Sequence, residues 1–121
     1  MPEKTLVEAF GVGSTQNATE ILISKTGLAA LLATNNYSYS PSANDSLDEL
    51  IAAIICAGLI SLSPTEREVD KLNRNVEFRY DPTINYDSPT LDGQTYNRHV
   101  VEVAFYKPIP TPTLSPSDFT N

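Results

Sequence analysis

The hydrophobic pattern at the start of the chain predicts a β-hairpin. Residues 5–10 (TLVEAF) are β-prone and end at Gly11-Val12-Gly13, where two glycines permit a turn. After a polar stretch, residues 20–24 (EILIS) place three apolar side chains in a row. We expect this second segment to pair with the first as an antiparallel strand.

The next segment favours a short turn of helix and then a loop. Residues 25–33 are rich in Leu and Ala, which have high helix propensity, but the segment is short for an independent helix. Residues 34–43 (TNNYSYSPSA) have the composition of a loop. Tyr37 and Tyr39 on this loop are candidate contact points.

The clearest helix in the sequence begins at Ser46, because Glu49 three residues later completes a capping-box pattern. The residues that follow, LDELIAAIICAGLISL, are apolar on nearly all sides after the first turn. The apolar part spans about 16 Å, short of the roughly 30 Å hydrocarbon core of a bilayer, so we expect no membrane span. One sheet face covers only part of such a helix, and either the chain's own loops or another subunit must cover the rest.

The second half of the chain predicts a charged helix and two further strands. Ser63-Pro64-Thr65-Glu66 is a helix-start pattern, and the helix is expected to reach about Leu72, with Val69 and Leu72 towards the core. Residues 75–81 alternate between apolar and polar, as in a half-exposed strand. Residues 98–107 are apolar on both faces and predict a central strand. These elements predict an α+β fold, an antiparallel sheet of about four strands packed on one main helix.

Residues 82–97 (PTINYDSPTLDGQTYN) predict a long loop between the last two strands. Sixteen residues with Pro89 and the turn pair Asp92-Gly93 are too many for a tight hairpin. Long loops within compact domains are usually functional or mobile. We therefore expect a contact loop whose apolar tips bind a partner, namely Ile84, Tyr86 and Leu91.

The last fourteen residues, PIPTPTLSPSDFTN, predict an extended arm. Prolines remove backbone donors and favour polyproline II, so the segment cannot enter a sheet interior and can reach about 40 Å. The chain thus divides into a domain over residues 1–107 and an arm over residues 108–121. A frayed terminus is the alternative interpretation. The candidate partner-binding residues of the arm are Pro108, Ile109, Pro110, Pro112, Leu114 and Phe119.

Composition and charge exclude several classes of partner. A chain of 121 residues fits one domain, and its net charge of -7 with only eight basic residues disfavours nucleic acid and anionic membranes. Cys56, the only cysteine, lies in the most apolar stretch and is expected to behave as a small buried hydrophobe. The N-terminus lacks the pattern of a secretion signal, so we expect a protein that is not secreted by that route and that is cytoplasmic or part of a virion.

The sequence offers no residue set for catalysis. His99, the only histidine, has no orienting carboxylate nearby before Glu102. Asp81, Asp87 and Asp92 do not follow the order of a calcium loop, and the GVGST segment lacks the lysine of a phosphate loop. We therefore expect no enzyme activity, no cofactor and no metal site.

Two stretches of the chain resemble small structural proteins of cyanobacterial genomes and of tailed phages and prophages. The first runs from ILISKTGLAALL through NDSLDELIAAIICAGL, and the second is DGQTYNRHVVEVAFYKP. The resemblance covers about half of the chain. It implies a particle component such as a head decoration, neck, tail or baseplate subunit.

The sequence therefore predicts a non-enzymatic structural subunit of a larger assembly, with other protein subunits as partners, as a homo-oligomer or bound to a particle. Many weak copies in a symmetric assembly give strength that one small interface lacks. The alternative is a stand-alone module that binds a peptide or ligand with residues 82–97 and with its tyrosines, namely Tyr37, Tyr39, Tyr86 and Tyr96.

Overall fold

Helices occupy the first half of the protein and a long β-hairpin the second. The computed structural model describes residues 3–91, 94–107 and 113–119, and within these ranges the side chains of residues 82–97 and 118 are outside the description. The elements are α1 (Leu6–Phe10), β1 (Thr15–Gln16), β2 (Ile21–Leu22), α2 (Lys25–Ala33), α3 (Leu47–Ser61), α4 (Pro64–Glu68), β3 (Val76–Leu91), β4 (Gln94–Phe105) and a 3₁₀ helix (Pro116–Phe119). The mixture of helix and antiparallel sheet confirms the coarse α+β prediction.

Residues 6–10 form helix α1, so the predicted first strand is wrong. The Thr5 side chain accepts a hydrogen bond from the Glu8 amide at 3.2 Å, and the Glu8 carboxylate accepts one from the Thr5 amide at 3.0 Å. This capping box satisfies two backbone donors and outweighs the weak β propensity, since such caps contribute about 1 kcal/mol. The second predicted strand shrinks to β2, and it pairs with β1 rather than with residues 5–10.

The turn between α1 and β1 brings two glycines together. Gly11 has a φ of 101°, a conformation that residues with a Cβ rarely adopt. A Cβ on Gly27 in the first turn of α2 would lie 2.2 Å from the carbonyl oxygen of Val12, and one on Gly11 would lie 2.3 Å from the Gly27 backbone. The missing side chains therefore let the turn lie directly against α2.

Helices α2 and α3 form the core of the helical half. Helix α2 covers residues 25–33, as predicted, and α3 starts after Ser46, whose hydroxyl accepts a hydrogen bond from the Glu49 amide at 3.1 Å. The buried apolar cluster of the described side chains joins the two helices, and its members are Leu28, Leu32, Ala53 and Ala57. Helix α1 packs on the other end of α3, where the Ser61 hydroxyl donates to the carbonyl oxygen of Ala9 at 2.9 Å.

Helix α4 starts after Ser63, as predicted, but it ends at Glu68 instead of near Leu72. Asp70 ends it, because its carbonyl oxygen accepts from the Arg74 amide at 2.9 Å and its carboxylate accepts from the Asn73 side chain at 2.8 Å. The chain turns away from the core in consequence. Val69 is 60% exposed and Leu72 is 90% exposed, so the prediction that they face the core is wrong.

Residues 82–97 belong largely to strands, so the predicted long loop is wrong. Strand β3 runs through to Leu91 and pairs with β4, and the register Leu91↔Gln94 leaves only two residues between the strands. The register shifts twice, between Asp81 and Asn85 and between Asp87 and Leu91. Each of these intervals contains a proline, Pro82 or Pro89. Prolines are tolerated in a two-stranded ribbon at such irregularities, where no ladder hydrogen bond is needed.

The described strands form two separate sheets, β1–β2 and β3–β4, rather than one sheet of four. Strand β4 pairs with β3 alone in the described part of the chain, so the prediction of a central strand is wrong.

A polar cluster fixes the base of the hairpin to α4. The Tyr106 hydroxyl donates to the Glu77 carboxylate at 2.5 Å, and the Arg67 guanidinium lies 3.6 Å from the centre of the Tyr106 ring. Arg67 also donates to the carbonyl oxygen of Arg74 at 2.9 Å. These contacts account for the burial of Glu77, which is only 6% exposed although the alternating pattern placed it on the solvent side.

The predicted C-terminal arm lies partly outside the described residues, at positions 108–112, 120 and 121. In its described part, residues 116–119 form the 3₁₀ helix. The ring of Phe119 packs against that of Phe105 at the end of β4, with 5.4 Å between the ring centroids. Leu114 is exposed.

One segment of the described chain, Leu47–Glu68, is long and apolar enough by length and composition to cross a membrane. Composition is weak evidence here, because the core helix of a soluble protein meets the same criteria. The segment is not one regular helix, since Ser63 ends the run and caps α4. Helix α3 itself has 15 residues and spans about 22 Å, less than the roughly 30 Å of a hydrocarbon core.

Gly27→Ala tests the close approach of the turn to α2. Alanine gains up to about 1 kcal/mol in helix propensity, but the backbone oxygen of Val12 cannot rotate away from the new Cβ. We expect a net loss of about 1–3 kcal/mol in the free energy of unfolding, measured by urea denaturation. The control is Thr26→Ala at the neighbouring exposed position, with a change within about 0.5 kcal/mol. Equal stability of the two variants would contradict the packing described here.

Candidate functional site

A groove of about 600 Å³ lies between α3 and the β3–β4 hairpin. We call it the α3 groove. It is lined by Tyr37, Asp48, Ile51, Ala52, Ile55, Cys56, Leu59, Tyr80, His99 and Val101. Its volume and its mainly apolar walls with a few polar groups are typical of binding sites in proteins.

The floor of the groove is one face of α3. Asp48, Ala52, Ile55 and Leu59 recur at intervals of three and four residues, which places them on one side of a helix. The opposite side carries small buried residues, namely Ala53, Ala57, Gly58 and Ser61. Helix α3 therefore buries its small side chains in the protein, with Ile54 and Ile60 packed beside them, and presents Ile51, Ile55 and Leu59 to the groove.

The small face of α3 also sets the position of the hairpin wall. A Cβ on Gly58 would lie 2.5 Å from the Phe78 ring, so the ring sits directly on the helix backbone. Phe78 and Tyr80 point to the same face of β3, because side chains alternate along a strand. Tyr80 is two residues further along β3 than Phe78, which contacts Gly58, and it is thereby placed over the groove.

Tyr80 and His99 form a polar pair at the hairpin side of the groove. The Tyr80 hydroxyl lies 2.8 Å from Nδ1 of His99, and the two rings stack with 6.1 Å between their centroids and 26° between their planes. Tyr80 is directly opposite Val101, so His99 is its diagonal neighbour on the same face of the hairpin. The pair supplies hydrogen-bonding groups to a site that is otherwise apolar.

Tyr37 closes another side of the groove and stands on a loop that Asp45 holds in place. The Asp45 carboxylate accepts hydrogen bonds from the Tyr39 hydroxyl at 2.8 Å and from the Ser42 amide at 3.1 Å. It also lies 3.3 Å from the ammonium group of Lys25 at the start of α2. The loop is thereby tied to both flanking helices.

These contacts shift the pKa values of the partners in opposite directions. Burial, together with the hydrogen bond to Asp45, raises the pKa of Tyr39 to about 12. The hydrogen bond from Tyr39, with those from Ser42 and Lys25, lowers the pKa of Asp45. Tyr39, predicted from sequence as a contact point, is instead a half-buried support of the loop. Tyr37 is the tyrosine of this loop that faces the groove.

Cys56 lies in the groove as a protonated thiol. Burial raises the pKa of Cys56, whereas a nucleophilic cysteine needs a lowered pKa and a base that activates it. His99 is the only histidine that could act as this base, and its ring forms a hydrogen bond with Tyr80. The arrangement favours binding of an apolar group and supplies no activated nucleophile.

The described residues that line the α3 groove include none of the predicted site residues. Ile84, Tyr86 and Leu91 lie in β3, and their side chains are outside the described part of the structure, as is that of Tyr96 in β4. Pro108, Ile109, Pro110 and Pro112 are also outside the described residues. Leu114 is exposed, and Phe119 contacts Phe105. The sequence showed that α3 is apolar on nearly all sides, which indicated that part of its surface needs a partner. It did not indicate which side of the helix remains uncovered.

Among the residues described, no group of three or more His, Cys, Asp or Glu side chains is placed to hold a metal ion. Of the three aspartates considered for a calcium loop, the side chain of Asp87 and the whole of Asp92 lie outside the described part of the structure.

Comparison of the chain with protein-family models, with curated proteins and with solved structures finds no match.

Asp45→Asn tests whether this carboxylate holds the loop. A carboxyl group whose pKa is lowered by folding stabilises the protein above its unfolded pKa of about 3.9, and this contribution is lost as the pH falls through the lower folded pKa. The variant should therefore melt at a lower temperature than the wild type at pH 7. The difference should narrow below about pH 4.

Thermal unfolding monitored by circular dichroism between pH 2 and pH 7 measures this effect. Asp48→Asn, at an exposed position in the first turn of α3, is the matched control and should show a smaller change at pH 7. A constant difference between Asp45→Asn and wild type across the whole pH range would contradict the role given to Asp45.

Proposed function

We propose that the protein is a non-enzymatic structural subunit of a larger assembly, and that an apolar segment of a neighbouring protein subunit fills the α3 groove. The observation that supports this most directly is the open face of α3. Leu47 is 68% exposed and Ile51 is 50% exposed on a helix that is apolar nearly all round. The fully buried apolar side chains in the described part are few and mostly small, namely Ala9, Leu28, Leu32, Ala53 and Ala57.

Covering the groove would stabilise an assembly substantially. Full burial of one Leu or Ile side chain contributes about 1.5–3 kcal/mol relative to exposure in water. Ile51, which lines the groove and is 50% exposed, has about half of that contribution still to gain in the isolated chain. Exposed contiguous apolar surface of this kind is typical of sites that bind another protein. In a symmetric assembly the same gain repeats at each copy.

The charge of the groove indicates the chemistry of its occupant. Asp48 lines the end of the groove next to the N-terminus of α3, and Glu49 follows it in the same turn. The protein has a net charge of -7. An apolar segment that also carries a Lys or Arg near this end would match the groove and would be steered to it by the charge.

A tailed-phage particle is the assembly that the resemblance of the sequence implies, and we propose it as the setting for this subunit, as a head decoration, neck, tail or baseplate component. The hairpin beyond residue 81 and the C-terminal arm over residues 108–121 are proposed as further contact segments. The hairpin replaces the predicted loop in this role, because it carries the same residues Ile84, Tyr86 and Leu91.

A stand-alone binding module is the second candidate. The volume of the α3 groove, about 600 Å³, and the Tyr80–His99 pair at its margin favour this function, since small ligands bind in such apolar sites with a few polar groups. The two functions differ in the occupant of the groove. A small apolar ligand would raise the melting temperature without changing the oligomeric state of the protein, whereas a neighbouring subunit would change the mass of the complex.

Ile51→Glu tests the assembly function. Because Ile51 is half exposed, the variant should fold like the wild type, but a desolvated carboxylate in the filled groove should reduce incorporation into the assembly by about tenfold or more. The measurement is the fraction of epitope-tagged chain that sediments with the assembly in a density gradient. Leu72→Glu, at a position 90% exposed and outside the groove, is the matched control and should incorporate normally.

Cys56 gives a second readout of the same site. Because it lines the groove, its alkylation by iodoacetamide should be slower in the sedimenting fraction than in the free chain. Equal incorporation of wild type, Ile51→Glu and Leu72→Glu, together with equal alkylation rates in both fractions, would rule out the groove as a subunit contact.

A further inference from the structure

Among the described residues, the outer edge of β4 is unpaired, whereas the outer edge of β3 meets the helical half of the protein at Phe78. Helices α3 and α4 both pack against β3. The backbone amide of Phe78 in β3 donates to the carbonyl oxygen of Leu62 at 2.7 Å, which satisfies that edge from the helical side. In the described ranges no strand pairs with β4 on the side away from β3. Unpaired strand edges of this kind are templates for pairing with another chain.

The contact of Phe78 also fixes which backbone groups of β4 point outward. Because the Phe78 amide points away from β4, the opposing residues Phe78 and Val103 form a non-hydrogen-bonded pair. The hydrogen bond from the Tyr106 amide to the Asn75 carbonyl oxygen, at 2.9 Å, agrees with this alternation. The outward donors and acceptors of β4 therefore belong to alternate residues, His99, Val101 and Val103.

Strand β4 is also the regular strand of the hairpin. At the first register shift the five residues of β3 from Asp81 to Asn85 lie opposite only three residues of β4, from Val100 to Arg98. The second shift likewise places its extra residues in β3. Both prolines of the hairpin, Pro82 and Pro89, are in β3. Bulges and prolines protect strand edges against pairing, and β4 has neither over its 12 residues.

The charged residues of β4 select one partner for this edge, which is β4 of a second copy. In an antiparallel pairing of two β4 strands, outward-pointing residues must face outward-pointing residues, so only every second register is possible. Of the registers allowed by this rule, only the one centred on Val100 places Arg98 of each copy opposite Glu102 of the other; those centred on His99 or Val101 place both charged residues opposite uncharged ones. The register centred on Glu102 would place two carboxylates together, and the one centred on Arg98 would place two guanidinium groups together. Opposite charges stabilise such cross-strand pairs and like charges destabilise them.

We propose that two copies of this protein join through β4 in the register centred on Val100 and form a four-stranded antiparallel sheet in the order β3-β4-β4-β3. The two-fold axis passes between the Val100 residues, and two Arg98–Glu102 pairs flank it on one face. His99 and Val101 lie on the opposite face, the one that α3 covers. Since α3 packs on β3, it leaves room for this pairing. The two α3 grooves then open on the same face of the joined sheet.

This contact uses a surface separate from the floor of the α3 groove, so it stands independently of the proposed function. A failure of the β4 contact leaves the assembly function intact, because Ile51→Glu acts on the groove alone. Conversely, Ile51→Glu should not change the dimer that forms through β4.

Charge reversal tests the register. Arg98→Glu creates a strand with two acidic positions and Glu102→Arg one with two basic positions, so each variant alone faces like charges across the two-fold axis. We expect sedimentation equilibrium to show a dimer for the wild type and a dimer dissociation constant raised by about tenfold or more for each variant. An equimolar mixture of the two variants should dimerise like the wild type, because every pair across the axis is then of opposite charge.

Glu102 also faces Arg79 within the hairpin, so circular dichroism must show that both variants are folded. A disulfide test of the same register does not depend on the charges.

In the Cys56→Ala background, Val100→Cys should form an inter-chain disulfide on mild oxidation. The two Val100 residues face each other in a non-hydrogen-bonded pair, and such residues lie about 4.5 Å apart at Cα. Thr26→Cys, exposed on α2, is the control and should form no inter-chain disulfide.

A wild-type protein that is monomeric at all concentrations would overturn the proposal. So would dimers that neither single charge reversal weakens, or a Val100→Cys protein that cross-links no faster than the Thr26→Cys control.

Discussion

The small residues on the buried side of α3 determine how the rest of the protein is arranged. Ala53, Ala57, Gly58 and Ser61 let three neighbours approach closely: α2, the end of α1, and the ring of Phe78 on the hairpin. On the other side of the helix, Ile51, Ile55 and Leu59 line the groove. Close packing on the side of α3 with small residues therefore leaves the other side uncovered, and this uncovered side forms the apolar groove.

The hairpin is held at its base by polar contacts that complement this apolar packing. Glu77, Tyr106 and Arg67 join β3, the end of β4 and α4 in one cluster, and the Glu77 hydrogen bond raises the pKa of Tyr106. A buried carboxylate needs such partners, because an unpaired charge in this position would be strongly destabilising. The groove wall is thus fixed by an apolar contact at Phe78 and by hydrogen bonds below it.

Local signals in the sequence predicted the helices better than the strands. The Ser46 and Ser63 caps were correct, and the same pattern at Thr5 and Glu8 begins α1, although the β-prone residues there led to the prediction of a strand. The hairpin was missed because Pro82 and Pro89 normally exclude a strand, whereas a two-stranded ribbon absorbs them at shifts of register. The groove residues were recognised as apolar, but which side of α3 stays open depends on the contact of Gly58 with Phe78, between residues distant in sequence.

The unequal edges of the hairpin limit how far pairing between strands can proceed. A chain that adds to β4 meets an open, regular edge, but the far side of β3 is blocked by helices and interrupted by insertions. Growth by edge addition therefore stops after a single event, instead of continuing into a fibril. Because of the irregularities in β3, no further strand can add to the hairpin on that side. This protects a small acidic protein with much exposed apolar surface from aggregation.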